Sequence, residues 1–400
     1  MKVAIVSDMH IGYERFAEDA YVQAKEALEK ASELADLIIM PGDIFDKRSP
    51  KPEVIAQAIN IFRELSQKKW DAKVIGFTGS NLHTDVPVIG ISGTHERTAF
   101  GKENPFSLLG LAGLVVDTSE ATTIVGKGGE KVAIFGLGGL SEEMVMESLK
   151  ELKPRPVSGA FNIFMFHQST YELLPFSEDF IHYDDLPKGF DLYVDGHIHN
   201  MVEADVHGKK LLIPGSTVLT QLKDGEQNGK GFILFDTSTY RYEFVKIKSR
   251  PFVSVELDFD MARPKDVKER CEGKIDEILD RHETKPIIRL KLRGTIESGF
   301  GSTDMPLQSI LMKYSQKAVI EIDNSKLLNP ELQSSIEELR DNKIGSIPVK
   351  DLGMKMLSEK LKEQKFDEKI DHEQLFGILS NDSKKEKVLK EAMEFLNGNE

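Results

Sequence analysis

The chain opens Lys2-Val3-Ala4-Ile5-Val6-Ser7-Asp8-Met9-His10, four apolar residues in a row followed by an aspartate and a histidine two positions apart. An apolar run this short, closed by polar residues, reads as a buried β-strand. Similar runs recur at Leu37 to Met40, Val86 to Ile91, Val132 to Phe135, Phe161 to Phe166, Leu192 to Val194 and Leu211 to Ile213. Between the early runs, Ala20, Ala24, Ala27, Leu28, Ala31 and Leu34, and then Ile55, Ala58, Ile59, Phe62 and Leu65, recur at three- and four-residue spacing. That spacing is the stripe of a helix burying one face. Strands alternating with helices predict an α/β domain whose site lies at the strands' carboxyl ends.

The chain has 400 residues, enough for two or three domains. With 66 Asp and Glu against 52 Lys and Arg it carries a formal charge of -14, so any binding to DNA needs a local reversal of sign. The sole cysteine, Cys271, excludes an intramolecular disulfide framework and a thiolate-rich metal site, and its place on a helix stripe reads as core. The N-terminus lacks a signal peptide's apolar run, and no stretch approaches about 18 uninterrupted apolar residues. A soluble, intracellular protein with no membrane partner is expected.

After Ser249-Arg250-Pro251 the texture changes to an alternating strand, Phe252 to Leu257. A helix carrying Val267, Cys271, Ile275 and Ile278 follows, then a strand around Ile287 to Leu292, a helix near Leu307 to Met312 and a strand Ala318 to Ile322, a small α/β module. Beyond Gly345-Ser346-Ile347-Pro348, three narrow stripes (Met354, Leu357 and Leu361; Leu375, Phe376 and Leu379; Val388, Ala392, Met393 and Leu396) lie in Lys/Glu-rich sequence. Stripes this narrow pack on the chain itself or on a protein partner. The predicted domains are 1–248, 249–338, and 339–400 as linker and terminal helices.

The chemistry stands just beyond the predicted strands: Asp8-Met9-His10, Gly42-Asp43-Ile44-Phe45-Asp46, Gly93-Thr94-His95-Glu96, His167, and Gly196-His197-Ile198-His199. In extended chain, residues two apart project to the same side, so Asp8 with His10 and His197 with His199 form pincers. Imidazole, carboxylate and water without sulfur suit Mn, Fe or Zn. Two pincers plus Asp43 and His167 exceed the needs of one ion. A carboxylate bridging two ions about 3.5–4 Å apart uses them all, and such a pair clamps a phosphoryl group.

The ordered set D-x-H, G-D-x-x-D, G-x-H-E, H, G-H-x-H resembles the calcineurin-like metallophosphoesterase superfamily. Gly42 to Asp46 with Pro50, Phe166-His167-Gln168, and Pro214-Gly215-Ser216-Thr217 ahead of Gly231-Phe232 resemble its SbcD-type DNA repair nucleases, the prokaryotic counterparts of the meiotic-recombination-eleven nuclease. The resemblance implies a β-sandwich flanked by helices, a small α/β capping domain, and C-terminal helices that dock on a partner. It implies that Asp8, His10 and His199 hold one metal, that Asp43 bridges both, and that His167 and His197 hold the second. His95 would be no ligand but would act at the scissile phosphate, a role suited to imidazole. The family usually has Asn, a ligand of the second metal, where this chain has Thr94, so that site is expected to be weaker, or Thr94 only shapes the turn.

The activity so implied is that of a nuclease using two Mn ions per chain, a 3′–5′ exonuclease on duplex ends and an endonuclease on single strands in double-strand-break repair. It implies a homodimer working on DNA with an SbcC-type coiled-coil ABC ATPase, in the cytoplasm at the nucleoid. Asp46 reads as orienting a ligand or capping a helix, Glu96 and Arg97 as turn or surface salt-bridge residues in preference to contacts with phosphate or its surroundings, and His83, His182, His207, His282 and His372 as structural or surface residues. Lys209-Lys210, Arg289 with Lys291 and Arg293, and Lys384-Lys385 are either DNA backbone contacts or scattered solvated charges. Two other functions fit the motifs. One is a phosphatase or phosphodiesterase acting on small nucleotides or phosphoproteins; the other is a weakly catalytic scaffold for the ATPase.

Overall fold

The computed structural model describes residues 1–79, 82–98, 102–175, 180–301 and 304–329. Strands β1 (Lys2–Ile5), β2 (Leu37–Pro41), β3 (Lys73–Phe77), β4 (Val88–Ile91), β5 (Val116–Asp117), β6 (Thr122–Lys127) and β7 (Glu130–Leu137) come first. They are followed by β8 (Phe161–Phe166), β9 (Leu192–Asp195), β10 (Val202–Val206), β11 (Lys209–Ile213), β12 (Gly231–Asp236) and β13 (Arg241–Lys246). One sheet has the order β13-β12-β1-β2-β4-β5, the other β10-β11-β9-β8-β7-β6-β3. In the first, β1, β2 and β4 run parallel; in the second, β7, β8 and β9 do.

Side chains alternate across each strand, and that decides the layers. Val3 and Ile5, Leu37 and Ile39, and Ile89 and Ile91 meet Val132, Ile134, Ile163, Met165, Leu192 and Val194 of the opposite sheet in one buried cluster. Their neighbours Ala4, Val6, Ile38 and Met40 turn the other way, onto Ala24, Leu28, Ala58 and Phe62 of α1 (Ala17–Leu34) and α2 (Pro52–Ser66). A helix α3 (Pro105–Leu111) is capped by Asn104, whose side chain accepts from the Ser107 N–H at 2.8 Å. On the second sheet, Val145 and Leu149 of α4 (Glu142–Leu152) cover Phe135, Phe164 and Phe166.

The expected sandwich flanked by helices therefore forms, and its central strands read as unbroken apolar runs because both faces are covered. The structure adds strands that no such run marks. β6, β10 and β13 are only partly buried, so polar residues interrupt them.

The chain divides into two compact units that interleave along the sequence. One comprises Met1–Val255, Gly273–Leu290 and Leu311–Glu321; the other comprises Glu256–Glu272, Lys291–Ile310 and the chain from Ile322. Strand β14 (Phe252–Ala262), α5 (Pro264–Leu279), β15 (Ile287–Ile296), α6 (Leu307–Tyr314) and β16 (Val319–Leu328) follow one another, and the strands form a sheet in the order β14-β15-β16. Val267, Cys271, Ile275 and Ile278 are all buried. The terminal stripes, the linker before them, His372 and Lys384-Lys385 lie outside the described residues. No helix among the described residues is long and apolar enough to cross a membrane.

Candidate metal centre

Five strand ends supply the site. Asp8 and His10 follow β1, Asp43 follows β2, Thr94 and His95 follow β4, His167 follows β8, and His197 and His199 follow β9. The two sheets thus contribute from the carboxyl ends of their parallel strands, and the side chains converge. Ligand atoms of Asp8, His10 and His199 lie within 4.8 Å of one another, as do those of Asp8, Asp43 and His167, and those of His10, Asp43 and His95. His10 Nε2 is 3.2 Å from His199 Nε2, and each is within 3.9 Å of Asp8 Oδ1. His167 Nε2 is 3.2 Å from Asp43 Oδ2, and the His197 ring stands 5.4 Å from the His167 ring, centroid to centroid. Thr94 Oγ1 lies 3.4 Å from Asp43 Oδ2. The pincer reading needs one refinement: Asp8, His10, Asp43 and His197 are not extended but have positive φ, so turns rather than strand pleats aim them.

The donor set fits divalent ions. Among the described residues, buried Asp8 Oδ1 makes no hydrogen bond and buried His167 Nε2 has only the Asp43 carboxylate near it, a costly state for polar atoms unless something else satisfies them. Positive φ at four non-glycine residues is strain of the kind that collects at functional sites. Backbone bonds across the loops hold it in place: Asp8 N–H donates to Gly42 O at 3.2 Å, His10 N–H to Asp43 O at 3.0 Å, and Ile11 N–H to Ile44 O at 2.9 Å. Two glycines leave the room. A Cβ on Gly42, which has φ +94°, would lie 2.4 Å from His167 Nδ1, and one on Gly93 would lie 2.1 Å from Asp43 Oδ1.

Each imidazole is held from behind. His167 Nδ1 lies 2.6 Å from the Pro41 carbonyl oxygen, which accepts only, so Nδ1 keeps a proton and Nε2 is the nitrogen turned inward, its lone pair free once a metal displaces the proton there. His199 Nδ1 meets Thr220 Oγ1 at 2.5 Å, and His197 Nε2 meets Ser169 Oγ at 2.9 Å. Asp46 places its carboxylate 3.4 Å from His10 Nδ1 and its carbonyl oxygen 2.8 Å from His95 Nδ1. Glu96 departs from the turn or surface reading. It is fully buried, and its carboxylate accepts from Phe45 N–H at 2.9 Å and Gly93 N–H at 2.8 Å, pinning the loops after β2 and β4 together. Behind His199, the buried Lys230 ammonium donates to the His199 carbonyl oxygen, to Ser216 Oγ and to Glu226 Oε1. Nothing in the sequence marks Pro41, Ser169, Thr220, Glu226 or Lys230, since hydroxyls, carbonyls and single charges at such separations follow no spacing rule.

The side chains also set one another's protonation. Burial works to lower the His167 imidazole, but the Asp43 and Asp8 carboxylates outweigh it and push it up to about 10. Burial works to raise Asp43, and the adjacent His167 and His10 outweigh it and hold that carboxyl well below the usual range. Asp8 goes up, chiefly through burial. Burial, with His167 beside it, brings His197 down to about 4; burial, with His10 and Lys230, brings His199 down to about 2. Both are neutral at pH 7, with the lone pairs that metal ligation requires.

The calcineurin-like phosphoesterase family profile matches residues 1–201, and the chain belongs to that family. Family membership implies a dinuclear metal site, and the clusters above are its candidate ligands. The chain is similar to double-strand break repair protein MRE11 of Encephalitozoon cuniculi, 28% identical over 70% of this chain and 53% of that one. It is similar to MRE11 of Oryza sativa subsp. indica, 26% identical over 88% of this chain and 62% of that one. It is also similar to DNA double-strand break repair protein Mre11 of Methanopyrus kandleri, 30% identical over 64% and 59%. The chain spans between half and two thirds of the length of these curated relatives.

Proposed function

We propose that the chain hydrolyses the phosphodiester backbone of DNA at a two-metal centre, as a Mn-dependent 3′–5′ exonuclease on duplex ends and an endonuclease on single strands in double-strand-break repair. The observation that carries this is the meeting of ligand atoms of Asp8, Asp43 and His167 within 4.8 Å, all three residues buried, with Asp8 Oδ1 making no hydrogen bond among the described residues. Asp8, His10 and His199 would hold the first ion, Asp43 would serve both, and His167 and His197 would hold the second, with Thr94 beside Asp43. When bound, paired divalent ions polarise a phosphoryl oxygen and acidify water. His95 is the chain's own proton carrier. Its Nδ1 faces the Asp46 carbonyl oxygen at 2.8 Å, so the neutral ring has its proton there and its free lone pair on Nε2. Once protonated at that nitrogen, the ring gives the proton to the leaving oxygen as the phosphorus–oxygen ester bond breaks, and the proton lost by the attacking water restores it.

The domain reading 1–248, 249–338 and 339–400 makes the first segment the nuclease and the second a capping domain. The terminal segment docks on an SbcC-type coiled-coil ABC ATPase, and the enzyme works as a homodimer in the cytoplasm at the nucleoid. The name of the MRE11 relatives supports the repair setting. The test is cleavage of linear duplex and single-stranded DNA with Mn, lost in His95→Gln with metal content intact. Turnover of p-nitrophenyl phosphate or cyclic nucleotides with no DNA cleavage would make the chain a small-substrate phosphoesterase instead. Retained ATPase binding with no hydrolysis in either assay would make it a scaffold.

A further inference from the structure

His95 stands between two cavities. One, of about 390 Å³, contains Asp43, His197 and His199 and has Leu173 and Leu174 in its wall. The other, of about 550 Å³, is lined among the described residues by Lys47, Arg48, Ser49, Thr94, His95 and Arg97. Each of these is a cation, a hydroxyl or an imidazole. No carboxylate is among them, in a chain whose formal charge is -14. Lys47 Nζ is 2.7 Å from Glu14 Oε1, but the guanidinium groups of Arg48 and Arg97 have no hydrogen-bond or ion-pair partner among the described residues, and both residues are exposed.

The described basic clusters singled out in the sequence lie differently. Lys209 is 3.8 Å from Asp191, Lys210 is paired with Glu203, Arg289 is 3.3 Å from Glu321, and Arg293 is paired with Glu256. The local reversal of sign that an acidic protein needs to hold a polyanion is therefore found beside the candidate catalytic histidine. Two guanidinium forks with no partner among the described residues match phosphate oxygens, which such forks grip in bidentate fashion.

We infer that the Arg48/Arg97 cavity is a subsite for the phosphodiester backbone flanking the bond cleaved at the metal centre, an inference that rests on the nuclease reading above. Because His95 belongs to both cavities, a strand whose scissile phosphate lies beside Asp43 and His95 continues past His95 with its next phosphates toward Arg48 and Arg97. Contacts of this kind set the path of the strand without reading bases. A small phosphoester does not extend into the second cavity, so the subsite favours polynucleotides over mononucleotides.

The test uses the full chain in EDTA, which prevents turnover, and fluorescence anisotropy of a labelled single-stranded oligonucleotide over a range of salt concentrations. Arg48→Ala/Arg97→Ala is expected to reduce the slope of log affinity against log salt by about 1.4, roughly 0.7 for each lost phosphate contact. Lys209→Ala/Lys210→Ala removes the same charge elsewhere and is expected to keep the slope of the unmodified chain. An unchanged slope in the arginine variant, or an equal fall in the lysine variant, overturns the inference and leaves the nuclease reading standing. Absence of both binding and Mn-dependent DNA cleavage in the unmodified chain overturns that reading, and the inference with it.

Discussion

Thr220 Oγ1 lies 2.5 Å from His199 Nδ1, on the side of the ring away from Nε2, which faces His10 Nε2 at 3.2 Å. When Nε2 faces a metal the ring proton sits on Nδ1, and the Thr220 hydroxyl, which can donate or accept, then accepts it and sets the tilt of the ring, as partners behind metal-bound histidines do. Thr220→Val keeps the shape of the side chain and removes that acceptor. It is expected to weaken Mn binding by about 10–100-fold. Calorimetric titration of the purified chain with Mn reads this directly, and an unchanged unfolding midpoint separates it from general destabilisation.

Behind the same segment, Glu226 and Lys230 form an ion pair at 2.7 Å with both side chains nearly inaccessible, at 1% and 3% exposure. Desolvation of two buried charges consumes much of their attraction, whereas removing one of them strands the other. Lys230→Met should therefore cost about 3–5 kcal/mol in urea unfolding, and Glu226→Gln/Lys230→Met should cost less than Lys230→Met alone. Equal losses in the two would mean that Lys230 acts through its bonds to His199 O and Ser216 rather than through its pairing with Glu226.

At Thr94 the hydroxyl is 3.4 Å from Asp43 Oδ2. A neutral hydroxyl is a poor and short ligand beside an amide oxygen. Thr94→Asn is expected to tighten the second, weaker step of a Mn titration and leave the first unchanged. An identical titration curve would return Thr94 to a turn-shaping role.

Protonation gives the metal-free chain a pH signature. In EDTA, His197 and His199 stay neutral down to about 4 and about 2, against 6.5 for an unperturbed histidine. The unfolded chain then binds more protons as pH falls below 6.5, so these two groups make stability drop from pH 6.5 toward 4. His167 has the opposite sign. Pushed up to about 10, it contributes stability that is complete below 6.5 and lost as pH rises toward 10. Glu96, pushed up to about 8 by burial, works against the two histidines over the same interval. From pH 6.5 to pH 5 in EDTA the urea midpoint of His197→Asn should therefore fall less, or rise more, than that of the unmodified chain, and an identical pH dependence contradicts the assignment.

Much of the fold was legible because burial leaves a local trace. Val3 to Val6, Leu37 to Met40 and Phe161 to Phe166 are covered on both faces and stand out as apolar runs, and the Ala24, Leu28, Ala58 and Phe62 stripes announce α1 and α2. Strands β10 and β13 left no such trace, since each buries little and alternates in polarity. The same limit applied at the site. Glu96 looked like any glutamate in a turn, and only its burial between the Phe45 and Gly93 amides reveals the loop tie it makes.

Residue type and short spacing, which are properties of the chain itself, were enough to say that aspartates and histidines follow buried strands in an order suited to phosphoryl chemistry. The amino-acid order carried no record of which atoms would meet across long separations. That His167 leans on a carbonyl 126 residues earlier, that His199 is held by a hydroxyl 21 residues later, and that Arg48 and Arg97 share one cavity follow from which strands became neighbours. Strand pairing is a choice among global arrangements, settled by the packing of both sheets at once, so only the tertiary structure decided it.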